Sequence, residues 1–371
     1  MISRVAAVYV GLLGLLPLWR PPALASEAAP TPWLDHSLSR PHLDAPAAPQ
    51  PGRIGVPDVA LSQWLLSTEE LHVPAHVRLM VFAPHPDDET LAAAGLIQRV
   101  LAGGGKVRVV FVTNGDGYVD AVRHAVKGAR ASTTDFIQYG ERRHQEALRA
   151  LHELGVPTHD ALFLGFPDDG IDDLWAGHWS TRKPYTSPYT RFDRPRYKES
   201  VSHRVEYAGA DLEGEIKRTV RDFAPDWVVL PDPRDRHPDH CTTGVFVLDA
   251  LRKLRQEGDG PVGRMQAFTY LVHAPDYPAS PAWIKEIAGA GVGGSATAGR
   301  TLATTRWVNL PVTKPELDAK QAAVAAYQSQ VQVMNPFLRQ FVRPVELFGQ
   351  LDAKQVMSVP YEYAARFGRP R

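Results

Sequence analysis

Along the chain, short apolar runs alternate with segments whose apolar residues recur every three to four positions. Residues 77–83 (VRLMVFA) are almost uniformly apolar, the pattern of a strand buried on both faces. Residues 89–105 (ETLAAAGLIQRVLAGGG) switch to helical spacing and end in three glycines suited to a helix C-cap. The same reading predicts a strand over 106–114, a helix over 142–155, a short strand over 161–165, a helix over 212–224, a strand over 226–231 and a helix over 241–254. Strands that alternate with helices imply parallel pairing through right-handed crossovers, hence a Rossmann-like α/β sheet, mostly parallel, with helices on both faces. Ligands of such sheets bind beyond the carboxyl ends of the strands.

Before the first strand the pattern differs. Arg4 precedes an apolar run from Val5 to Leu18, and Ala23-Leu24-Ala25 follows, which is the layout of a signal peptide cleaved after Ala25. The run is shorter than the ~20 apolar residues that span a bilayer. The expectation is therefore an exported protein, periplasmic or extracellular, with no transmembrane segment in the mature chain. Residues 26–60 are rich in Pro and Ala without periodicity and read as a flexible lead-in. The core is expected over 61–275, with an inserted aromatic and basic loop near 175–207, and residues 276–371 as the C-terminal part of the same domain.

Composition narrows the function classes. With 371 residues, 44% of them hydrophobic, the chain can bury a sizeable core. Lys+Arg and Asp+Glu both total 41, so the long-range field expected of a nucleic-acid binder is missing. The single cysteine, Cys241, excludes an intrachain disulfide framework. Two glycine patterns mislead: Gly103-Gly104-Gly105 follows a helix where a phosphate loop would follow a strand, and Gly289, Gly291 and Gly294 have no strand before them. A nucleotide is not implied.

Two stretches carry candidate chemistry. In 81–95 (VFAPHPDDETLAAAG), His85, Asp87, Asp88 and Glu89 crowd a strand-to-helix turn, an arrangement that costs stability unless a cation or a reaction uses it. In 226–240 (DWVVLPDPRDRHPDH), His237, Asp239 and His240 hold the equivalent place after a second buried strand. Each alone has an ordinary explanation, since Asp is a favoured N-cap. Together they deliver His and Asp to one sheet edge, as a three-ligand metal site requires, and nitrogen and oxygen ligands without thiolate suit a catalytic Zn²⁺.

These motifs resemble the LmbE/PIG-L family of zinc-dependent N-acetylglucosamine deacetylases. PHPDDE (84–89) and HPDH (237–240) carry the resemblance, and VTNGDG (112–117), the R-x-x-E-A helix from Arg143, LGFPDDG (164–170) and the Tyr327-x-Ser329-Gln330 segment extend it. It spans about 77–349 and leaves the lead-in and 175–207 uncovered. The resemblance implies an LmbE-like fold with a C-terminal extension, His85, Asp88 and His240 as zinc ligands, Asp87 as general base, His237 as oxyanion stabiliser and Asp239 as the group that orients it. It also implies substrate contact for Arg143. The expected activity is hydrolysis of the acetamide of an N-acetylated amino sugar by a water that Zn²⁺ activates. Hydrolysis of another amide or ester is an alternative, because the ligands specify activated water and not the acyl group. A second is a carbohydrate-binding protein with a structural ion.

Other residues invite plainer readings. The acids of FPDDGIDD (166–173) read as solvated or bonded to local backbone. His124, His144 and His152 read as surface residues, and Cys241 as a small helix-start residue. The aromatics of 175–207 suggest either a lid over a glycan or an excursion packed on itself.

Overall fold

The computed structural model describes residues 68–128, 130–258, 263–274, 277–278 and 300–368. Both the expected signal peptide and the glycine-rich stretch 288–299 lie outside these residues.

The apolar runs become the strands of one sheet. Strand β1 is Glu69–Glu70, β2 Arg78–Ala83, β3 Lys106–Thr113, β4 Ala161–Phe166, β5 Trp227–Pro231, β6 Gln266–Tyr270, β7 Arg306–Pro311 and β8 Val345–Leu351. Their order across the sheet is β1-β7-β8-β6-β5-β2-β3-β4. All pairs are parallel except those of β8 with β6 and β7. The mostly parallel α/β sheet expected from the pattern is thus observed, with an antiparallel C-terminal strand set between two others.

Helices cover both faces. They are α1 Asp88–Ala102, α2 Val119–Ala125, α3 Thr133–Glu153, α4 Ile171–Ala176, α5 Gly209–Phe223, α6 Pro238–Gln256, α7 Arg300–Ala303, α8 Lys314–Ala326, α9 Gln328–Arg339 and α10 Ala353–Phe367. The strand period of two divides the core cleanly. Leu79 and Val81 of β2 join Val109 and Phe111 of β3 in the layer under α1, α3 and α8. Met80 and Phe82 join Val110 and Val112 in the layer under α5, α6 and α10. Full burial on both faces explains why these strands read as continuous apolar runs.

Helix α3 starts at Thr133, nine residues before its expected start, because Ser132 and Asp135 form a reciprocal capping box there. At the other end of α1, the N–H of Gly103 donates to the Arg99 carbonyl, and Gly104 takes φ +73, so the glycine triplet is a helix stop.

Register places the site. Val81 of β2 lies opposite Val229 of β5, and Pro231 of β5 opposite Tyr270 of β6. Three central strands therefore finish level on one edge. Gly244 of α6 lies where a Cβ would run into the Pro231 carbonyl, so this helix starts pressed against the end of β5. Among the described residues, no helix is long and apolar enough to cross a membrane.

Candidate active site

The turn after β2 carries His85, Asp87 and Asp88, and the turn after β5 carries His237, Asp239 and His240. His85, Asp87, Asp88, Asp239 and His240 are all buried, while His237 is half-buried at the open side.

Three atoms form a small triangle. His85 Nδ1 lies 3.3 Å from Asp88 Oδ2 and 3.3 Å from His240 Nε2, and His240 Nε2 lies 3.2 Å from Asp88 Oδ2. Ligand atoms about 2.1 Å from a tetrahedral Zn²⁺ stand roughly 3.4 Å apart, so the triangle has the size of one face of such a site. The far nitrogens of both rings face carboxylates: His85 Nε2 is 3.0 Å from Asp168 Oδ1 and 3.2 Å from Asp239 Oδ2, and His240 Nδ1 is 3.6 Å from Asp235 Oδ2. Metal-binding imidazoles are usually oriented through such an outer carboxylate.

Electrostatics agree with that donor set. Burial disfavours the imidazolium of His85 and His240, yet Asp168 raises the first and Asp88 the second, which is pushed up to about 9. Burial likewise opposes the Asp88 carboxylate, but His240 holds it well below the usual range. The cluster favours positive charge at its centre, which is what a divalent cation supplies. The residues present fit such an ion.

Asp87 is beside the triangle and differently held. Its backbone has φ +131, a region that non-glycine residues rarely adopt, and the cost of order 1–3 kcal/mol must be met by the surroundings. Arg143 provides the main restraint: its guanidinium donates to Gly115 O at 3.0 Å, Pro86 O at 2.5 Å and Asp87 Oδ2 at 3.1 Å. Gly115 has φ +65, and a Cβ there would strike this guanidinium. Burial pushes the Asp87 carboxyl up to about 8, against the pull of Arg143 and with a further push from Asp88.

Arg143, expected to contact substrate, is buried at 3% exposure. Its three acceptors belong to the loops after β2 and β3, which makes it a brace for Asp87. Asp239 was expected to orient His237. Its carboxylate accepts the N–H of Asp169 at 2.7 Å and of Ile171 at 3.1 Å and faces His85. The Asp239 backbone N–H donates to His237 Nδ1 at 3.2 Å. An accepting Nδ1 leaves the proton of the neutral ring on Nε2. Burial, then the neighbouring rings of His85, His273 and His240, keep His237 well below the usual imidazole range, so it is a neutral donor here.

Two participants escaped the sequence reading. Asp168, read with its loop as solvated or locally bonded, is buried, accepts the Gly117 N–H at 2.5 Å and touches His85. His273, just past β6, packs its ring 5.1 Å from that of His237 and 4.7 Å from that of His240. The signal that could have found both was their place after strands whose ends share the edge. His144, read as a surface residue, is buried edge-on against Phe163 at 4.3 Å.

The resembling motifs also interlock. Tyr327 donates to Glu89 Oε1 at 2.6 Å, Ser329 to Glu146 Oε2 at 2.6 Å, and Gln330 to the Tyr139 hydroxyl at 2.7 Å. In the 175–207 segment, Trp175, Tyr197 and Tyr207 are buried, and Trp175 packs on Phe246 and Tyr363. Tyr197 and Tyr189 donate to Asp116 and Asp169 at 2.5 and 2.7 Å, so part of this segment braces the loops around the site.

Residues 80–251 match the family model described as PIG-L: GlcNAc-PI de-N-acetylase. Among curated proteins, the chain is 32% identical over 179 residues to 1D-myo-inositol 2-acetamido-2-deoxy-alpha-D-glucopyranoside deacetylase of Mycobacterium sp. (strain KMS), covering 47% of this chain and 50% of that one. The protein of the same description from Mycobacteroides abscessus is 32% identical over 184 residues, covering 47% and 56%. The chain spans about half the length of the curated relatives it matches. Among solved structures, N,N'-diacetylchitobiose deacetylase from Pyrococcus horikoshii aligns with TM-score 0.46 and 17% identity over 84% of this chain and 96% of that one. The expectation of export is corrected: these relatives lend secretion no support, and residues 1–25 lie outside the described residues. A short apolar run before an Ala-x-Ala triplet is a compositional pattern that does not by itself specify secretion.

Proposed function

With residues 80–251 belonging to the PIG-L family, we propose that the protein is a metal-dependent hydrolase that removes the acetyl group from an N-acetylated amino sugar. The observation that carries the reading is the triangle of His85 Nδ1, Asp88 Oδ2 and His240 Nε2, flanked by one carboxylate and one neutral imidazole outside it. His85, Asp88 and His240 would hold the ion, with Zn²⁺ the expected metal. A bound divalent ion acidifies water toward neutrality and polarises an amide carbonyl.

The chain supplies the rest. Asp87 lies next to a ligand and is held by Arg143, so its free carboxylate oxygen accepts the proton of the attacking water. Burial works against its charged form, and the Arg143 guanidinium and a bound cation would both favour the carboxylate. His237, with its proton on Nε2, donates to the oxygen that gains charge as the carbonyl carbon becomes tetrahedral; such a donor is worth about 10²–10³ in rate. The amine then leaves with a proton returned by Asp87. Relatives named for deacetylation of a 2-acetamido-2-deoxy-glucopyranoside support an N-acetylglucosamine-type substrate.

The direct test is acetate release from N-acetylglucosamine glycosides by purified protein, with and without a chelator, beside metal analysis. About one zinc per chain and chelator-sensitive release are expected. Full activity in a metal-free preparation, or no acetate from any such glycoside, would sink the proposal.

A further inference from the structure

His273 follows β6, and its backbone is fastened from three sides. Its N–H donates to Asp235 Oδ2 at 3.0 Å, as does that of Val272 at 2.9 Å, while its carbonyl accepts the Arg236 N–H at 3.2 Å. The other oxygen of Asp235 accepts the His237 N–H at 3.0 Å. One carboxylate thus sets the spacing between His237 and His273. The His273 ring lies nearly parallel to Phe337, 5.5 Å away at 12°, with its other neighbours His237 and His240. It is half-buried, and among the described residues none hydrogen-bonds its ring nitrogens, in contrast to the ring of His237. It also lies outside the two groups of side chains close enough to share an ion, His85 with Asp88 and His240, and His85 with His237 and Asp239.

A polar ring held this firmly, beside the proposed oxyanion donor and with no hydrogen-bond partner for its nitrogens among the described residues, is arranged for a ligand. We infer that His273 is a substrate-contacting residue, donating or accepting a hydrogen bond to the amide-bearing sugar next to the bond that His237 serves. The inference rests on the proposed deacetylation of an amino sugar. It assigns to the end of β6 a role in substrate binding, and to Phe337 the role of holding the ring in place.

The test compares His273→Phe, which preserves the stack on Phe337 and removes both nitrogens, with His273→Gln, which restores a donor and acceptor. Zinc content and thermal midpoint are measured first, then kcat and KM for acetate release from an N-acetylglucosamine glycoside, and calorimetric binding of the same glycoside. For His273→Phe, zinc and midpoint are expected to stay near wild type while kcat/KM and affinity fall about tenfold, the worth of one hydrogen bond. His273→Gln should recover most of that loss. Wild-type kcat/KM in His273→Phe, or equal losses in the two variants, would overturn the inference and leave the deacetylase reading standing. A wild-type protein that neither cleaves nor binds the glycoside would overturn both.

Discussion

The two turns that build the site reach the same edge by different means. The turn after β5 keeps an ordinary backbone, with His237 capping α6 ahead of Pro238 at φ −72. It is bonded within itself, Asp232 accepting from Arg234 and Asp235 from His237, and to the end of β6, whose Thr269 donates to Asp232 and whose following Val272 and His273 donate to Asp235. The turn after β2 is strained at Asp87 and is held from far along the chain, by Arg143 on Asp87 and Pro86 and by Tyr327 on Glu89. The difference teaches that ligands can be placed on an unstrained turn, whereas a carboxylate set beside the ligands without joining them takes a strained backbone that the rest of the fold must hold.

Separating the two aspartates of the strained turn should give the largest effect. Asp87→Asn is expected to retain zinc and lose about 10²–10⁴ in turnover, because an amide cannot take the proton from water. Asp88→Asn should instead weaken zinc binding. Metal analysis and acetate release on both variants decide the matter, and zinc lost from Asp87→Asn would reverse the assignment.

Removing one brace from each turn comes next. Arg143→Ala leaves the buried Asp87 carboxylate and two carbonyls without their donor, and a loss of about 3–5 kcal/mol in unfolding free energy is expected. Asp235→Ala leaves three backbone N–H groups without their acceptor and should cost about 2–3 kcal/mol. Urea titration of each variant reads these values. If the Asp235 variant lost more, the unstrained turn would be the one that depends more on its brace.

The smallest effect is expected from Tyr327→Phe, which deletes one hydrogen bond to Glu89 and should lower stability by about 1 kcal/mol. Turnover should fall as well, since Glu89 accepts the Asp87 N–H at 3.2 Å. Unchanged turnover would mean that Asp87 is held by Arg143 alone.

Much of this was legible in the sequence. The strands at 78–83, 106–113 and 227–231 are read from apolar runs because parallel strands covered on both faces leave no polar side to interrupt them. His85, Asp88 and His240 stand out because ionisable residues directly after such runs sit at a sheet edge. Short helix α2 went unread, since seven residues carry too little periodicity to register. That Arg143 would brace Asp87 was not legible, because helical spacing says nothing about which loop crosses above it.

The sequence by itself determined the alternation of elements, the edge on which the chemistry would lie and the donor types offered there, because each depends on neighbours within a few residues. Tertiary structure alone decided that Asp168 meets His85, that Arg143 braces Asp87 and that His273 joins His237. Those contacts arise from strand order and register, which bring the ends of β2, β5 and β6 side by side although they are far apart in the chain. The pairing of strands is a property of the whole sheet, and no local window of sequence contains it.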